Sequence, residues 1–321
     1  MQFTSLPTPF ASIGEPLHYT LADLRGASVD VRIFTADEQL LGTKRLVGAT
    51  TCTLDIAPYL RTAAVITPPS PDTPTGFVAL DDRWLSIAVE ADDGETLLRS
   101  DLRTFFVARQ PITTPSLCTA LPHERLLAPS ECDLLTLRMT EPTVVVTEIR
   151  PDGTTHEHRY SAHIAPLCGF QVRADDFPEA ERLVVDLGQS GSVAYSLLPH
   201  PEGAVRLAWR SESGALEHYT FPRKKHHRVA VQKQRGYGEA GYRTLTTEVR
   251  ERMTLESAYE SEPMLRALAE VLYAEQVWRC RPTGYEAVDV LTEQAETSHY
   301  GALGTLTVEI RNTLKNKPLW N

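Results

Sequence analysis

Apolar and polar residues alternate along much of the chain, the pattern of strands that bury one face. Val29, Val31 and Ile33 share a face while Asp30 and Arg32 take the other. Leu85, Ile87 and Val89 repeat the pattern, and so do Leu306, Val308 and Ile310. Two hairpins are legible. Val144–Ile149 runs into Pro151-Asp152-Gly153, where proline presets φ and glycine accepts positive φ. Val205–Trp209 is expected to pair with His218–Phe221 around the turn cluster Ser211-Glu212-Ser213-Gly214.

Helical spacing stands out once. Ser261 is placed to cap a helix with Glu262 and Pro263 in its first turn, where proline's missing N–H costs little. Leu265, Leu268, Ala269 and Leu272 then form an i, i+3, i+4, i+7 stripe, and the helix is expected to run to about Trp278, before Pro282 and Gly284. Pro68-Pro69-Ser70-Pro71 with Pro74 reads as a long loop, Pro111 and Pro115 as one boundary and Pro222 as a second. The expected fold class is therefore mainly β: two β-sandwich-like domains, over 1–110 and 111–222, followed by a small α+β module over 223–321 with one amphipathic helix.

With 321 residues the chain exceeds the size at which single cores usually stop growing. Its net charge of −10 argues against a dedicated nucleic-acid binder, which needs a cationic surplus, and gives no pull toward an anionic membrane. The opening residues, Met1–Phe10, lack a basic leader and an apolar run, so no secretory signal is expected. Cys52, Cys118, Cys132, Cys168 and Cys280 are odd in number and widely spaced, which suits free or buried thiols in a reducing compartment.

Few motifs point to chemistry. Gly236, Gly238 and Gly241 match the G-x-G-x-x-G dinucleotide fingerprint, but the β-prone Tyr242–Thr247 follows where a phosphate-binding helix is required. A glycine loop between extended segments is expected instead, with no nucleotide. Gly188-Gln189-Ser190-Gly191-Ser192 lacks the second glycine of a nucleophile elbow at the right place and reads as a turn. His156 and His158 are two apart on a strand with His163 near, a metal site only if a third ligand converges; an exposed hairpin arm is the preferred reading. No cofactor, metal or catalytic residue is assigned. From Pro222 to Gly238 there is no acid, and Arg223, Lys224, Lys225, Arg228, Lys233 and Arg235 concentrate cations on an acidic chain. They are the candidate partner-docking residues.

Three segments carry a family resemblance. The first comprises Phe10–Leu17, Val29–Phe34 and Leu54–Leu60; the second is the hairpin of Val205–Phe221 with its tryptophan, turn glycine and Thr220-Phe221 ending. The third is the 261–278 helix followed by strands closing on Gly304–Thr313. Together they are similar to tail-associated, tail-tip or minor-tail structural proteins of Bacteroidetes phages and prophage-like elements. The resemblance implies a non-enzymatic, oligomeric component that contacts itself or other tail-like proteins. It would assemble in the cytoplasm and end in a virion or tail-like particle. Two rivals stand beside it: a carbohydrate-binding or adhesin-like β-sandwich protein, and an enzyme whose site is dispersed along the chain. The second would need a deep polar cleft with strongly shifted titratable groups.

Overall fold

A computed structural model describes residues 1–312, except 25–27, 142, 164, 240, 295 and 296. The fold is mainly β, and each alternating segment named above is a strand with its apolar side inward. In the first sandwich a three-stranded sheet (Gln2–Ser5, His18–Ala22, Thr51–Asp55) faces a five-stranded one. The latter is built from Leu40–Val47, Ser28–Thr35, Trp84–Asp92, Leu97–Arg99 and Arg103–Phe106. Val31 lies opposite Ala91 and Ile33 opposite Val89, all buried against Tyr19, Leu21 and Leu54. Each buried valine, leucine or isoleucine among them contributes about 1.5–3 kcal/mol by leaving water.

The second sandwich pairs a four-stranded sheet with a five-stranded one. The five are Glu124–Leu127, Ser192–Leu197, Arg182–Asp186, Thr143–Ile149 and Thr155–Ser161, the first two parallel. The hairpin turn at Asp152-Gly153 forms as the residues dictate, with Gly153 at φ 82° and the Asp152 carboxylate accepting the Thr154 N–H. The four-stranded sheet contains Ser116–Cys118, Cys132–Arg138 and Cys168–Arg173, and its fourth member comes from outside. The proline-punctuated segment, expected as a loop inside the first domain, carries a strand, Gly76–Val78, that pairs with Cys168–Arg173. Prolines hold the approach extended, and Gln171 fixes it by donating to the Ser70 and Thr73 carbonyls at 3.1 and 2.8 Å. A clasp thus crosses the linker between the two sandwiches.

The C-terminal body is a nine-stranded sheet. Its order runs Leu216–Phe221, Val205–Arg210, Val277–Arg281, Gly284–Val290, Leu303–Asn312, Gly241–Glu256, Arg223–Gly238. Glu260–Ser261 and Thr297–Tyr300 also pair with Leu303–Asn312. The hairpin at Val205–Phe221 forms in the expected register, Val205 opposite Phe221 and Trp209 opposite Glu217. It hydrogen-bonds to Val277–Arg281, so it shares this sheet rather than the sandwich that precedes it in sequence. Trp209 and Phe221 are both fully buried. The helix is shorter than its periodicity predicts. It spans Glu262–Leu268, continues as a 3-10 turn over Ala269–Leu272, and stops at Tyr273, whose φ/ψ of −121°/9° is no longer helical. The β-branched and aromatic pair Val277-Trp278 gains more by joining the sheet than by lengthening a helix. Leu265, Leu268 and Val271 pack beneath the sheet with Trp209, Phe221, Leu306, Val308 and Ile310.

Candidate functional site

All six candidate docking residues lie on one strand, Arg223–Gly238, which with Gly241–Glu256 makes a hairpin far longer than the sheet that bears it. Only Arg252–Glu256 are paired with the neighbouring strand Leu303–Asn312. Beyond that base the two strands hold only each other, from Val229 opposite Glu251 to Gly238 opposite Gly241. At about 3.3 Å per residue this is an arm projecting roughly 30 Å. Gly238 lies opposite Gly241, which has φ 91°. Near it, a Cβ at Gly236 would come within 3.2 Å of the exposed Leu245 side chain, which lies over the strand at a bulge.

The arm has no core, since beyond its base both faces and both outer edges meet solvent. Cross-strand partners share a face. Val231 sits opposite Val249 with Val229 two residues away, an exposed apolar patch on one side. On the other side Arg228 lies opposite Arg252 and Ala230 opposite Arg250. At the tip Tyr237 and Tyr242 face each other with ring centroids 5.0 Å apart, 78% and 76% exposed. The outer edge of Arg223–Gly238 pairs with no other strand among the described residues.

Charge on the arm is unevenly neutralised. Glu256 takes Lys225 at 2.6 Å and Arg223 at 3.6 Å, and His227 approaches Glu251 at 3.8 Å. Burial alone would raise the Glu256 carboxyl, but the Lys225 and Arg223 contacts outweigh it and hold it below its ordinary value. Lys224, Arg228, Lys233 and Arg235 have no carboxylate within 4.0 Å among the described residues. Nine Lys and Arg against four Glu over 223–256 give the arm +5, which leaves −15 on the remainder of a chain whose total is −10. The arm can therefore present apolar and aromatic anchors, cations with no carboxylate in reach and open strand edges.

A second cluster, which sequence spacing did not disclose, lies buried where the second sandwich meets the C-terminal sheet. Asp133 accepts from Arg125 Nη1 and the Tyr195 hydroxyl at 2.8 Å each, and from His218 Nδ1 at 3.1 Å. His218 Nε2 in turn accepts from the Tyr285 hydroxyl at 3.0 Å. Next to it Glu131 accepts from Arg206 at 3.1 Å and Thr220 at 2.8 Å. Burial disfavours ionised carboxylates, yet Arg125, His218 and Arg206 hold Asp133 well below the usual range. Glu131 is likewise brought down to about 2, where Arg206, His200, the Ala128 N–H and Thr220 together outweigh its burial. Burial lowers His218, so its imidazole is neutral near pH 7.

Clefts of about 310 and 620 Å³ border this cluster and share His200, Arg206 and Thr220 in their walls. Asp133, His218 and Tyr285 stand in the order of an acid–base relay. The terminal hydroxyl, however, is pushed up by burial and by the Cys132 and Cys280 thiols, the opposite of an activated nucleophile. What the cluster does is join three sheets: Asp133 stands on one, Arg125 and Tyr195 on a second, His218, Arg206 and Tyr285 on the third.

The remaining sequence candidates are placed as follows. Gly236 and Gly238 are strand residues, and no helix begins at Gly241, so a phosphate-binding helix is missing among the described residues. Gly188–Ser190 is a turn between two strands. His158 lies edge-on to Phe177 and 3.4 Å from Glu148, while His156 and His163 are exposed. Among the described residues no three His, Cys, Asp or Glu side chains converge as a metal site, and no helix is long and apolar enough to cross a membrane. All five cysteines are free.

No family model matches the sequence, and no curated protein matches it. A solved structure described as a tetra-tandem repeat in the extending region of a large adhesion protein is similar over 79% of this chain and 69% of that one, at 10% identity and a TM-score of 0.25. So loose a superposition transfers no function from that protein to this chain.

Proposed function

We propose that this protein is a structural component of a multiprotein assembly of the phage or prophage tail type, and that it joins its neighbours through the projecting arm. The observation that carries the reading is the arm itself. A chain that builds about thirty residues into a hairpin with no core of its own gains little folding stability from them. Their Tyr and Arg side chains are of the types that anchor interfaces. The reading agrees with the family resemblance carried by the Val205–Phe221 hairpin, and with a buried polar cluster spent on joining sheets rather than on an open reaction centre.

The test is to isolate particles from cells that carry the gene. A photo-reactive residue placed at Tyr237 should cross-link the chain to another polypeptide within the particle, and mass spectrometry should find the chain there in fixed stoichiometry. A chain that never copurifies with any particle, or an arm that cross-links to nothing in it, would sink the proposal.

A further inference from the structure

We infer that the occupant of the arm is a second copy of this chain, with the arm of one molecule lying on the acidic body of the next in a head-to-tail contact. The inference rests on reading the arm as a docking element and goes on to name its partner. Two observations carry it. The first is the charge division: +5 on residues 223–256 against −15 on the rest makes each molecule complementary to its own copies. The body offers acids in runs, such as Asp92, Asp93 and Glu95 at a hairpin turn and Asp175, Asp176 and Glu179 in the connection between Cys168–Arg173 and Arg182–Asp186.

The second observation sets the symmetry. Two arms pairing edge to edge would bring two acid-free strands together, cation against cation, and directly opposed like charges destabilise a ladder. The Arg223–Gly238 edge thus opposes two-fold pairing with its own copy. The arm-on-body contact that the charges favour is heterologous, and such a contact closes into a ring or runs on as a filament. Arg228 marks the place. It lies opposite Arg252 with no carboxylate of its own in reach, and a neighbour's acid set there would relieve the repulsion.

Arg228 also separates docking from folding. Arg228→Glu puts an anion opposite Arg252, so it should leave the thermal midpoint unchanged or higher, whereas it removes a cation the neighbour needs. Sedimentation velocity over a concentration series, at low and high salt, is run on the full-length wild type, on Arg228→Glu and on Arg228→Glu with Lys233→Glu. The expected result is a wild-type oligomer that grows with concentration and weakens in high salt. The double reversal should weaken self-association about tenfold or more at unchanged thermal stability. Tyr237→Ser with Tyr242→Ser should weaken it too, without altering the salt dependence. A wild type that stays monomeric up to its solubility limit, or an oligomer indifferent to both sets of changes, would overturn the inference. A monomer that still cross-links to a different polypeptide in the particle would leave the assembly role standing and remove only the second copy.

Discussion

Asp133→Asn tests the polar cluster most directly. The side chain keeps its shape but loses its charge, and its amide nitrogen now faces groups that donate. Four hydrogen bonds end on this carboxylate: from Arg125 and Tyr195 at 2.8 Å, and from His218 and the Leu134 N–H at 3.1 Å. Hydrogen bonds to a charged group are worth about 1.5–3 kcal/mol each. The amide oxygen retains some of them, and Glu217, 3.9 Å from Arg125, still shares that cation's field. The remainder matches the loss of about 3–5 kcal/mol usual when one member of a buried ion pair is removed. Because the carboxylate ties three sheets, the loss should also appear as lost cooperativity. A calorimetric transition shared by the second sandwich and the C-terminal body should split in two. The folded-state value of Asp133 lies below its unfolded value, so its contribution is present above the unfolded value, near pH 4, and fades as pH falls below it. The gap between wild type and variant should therefore close in acid. A loss under about 1 kcal/mol in urea denaturation at pH 7, or a gap that is the same at pH 3 and pH 7, would refute this reasoning.

Trp209→Ala empties a fully buried site among Phe221, Leu265 and Leu306, and should cost about 3–5 kcal/mol in equilibrium denaturation. Glu270 has the opposite sign from Asp133: burial, then the nearby charges of Glu217 and Glu212, raise its carboxyl to about 7. A raised carboxyl leaves the fold unpenalised below the unfolded value and burdens it as pH rises toward 7. Glu270→Gln should thus stabilise by about 1–2 kcal/mol at pH 8, allowing for solvent screening of a half-buried group, and the gain should shrink toward zero near pH 4 in thermal unfolding.

The sandwiches were legible because burying one face of a strand leaves a period of two in the sequence. Val29, Val31 and Ile33 each end about 1% exposed as that period requires. The hairpins at Asp152-Gly153 and at Ser211–Gly214 were legible because turn chemistry is local. The arm was visible only as a run of cations. Arg223–Gly238 buries neither face, so no alternation marks it as a strand, and its charges alone read as a solvated loop. The Asp133 cluster was invisible for another reason. Arg125, Asp133, Tyr195 and His218 come from four strands, and nothing in their spacing foretells that they meet. Leu216, Glu217 and His218 are consecutive and all buried because their strand is covered on both faces, a fact that only the tertiary structure supplies.

The strand at Gly76–Val78 has a mechanical consequence. Beads joined by a single thread bend freely at each junction and separate under tension one by one. Here a load applied across the junction near residues 109–115 is shared with a second connection, because Phe77 and its neighbours are stitched to Cys168–Arg173 three residues deep. Parting the first two bodies requires shearing that ladder and freeing Gln171 from Ser70 and Thr73, together with yielding of the linker. Two separated points of attachment also resist torsion, which a lone linker cannot. The N-terminal sandwich is thus braced against the second at two points rather than one.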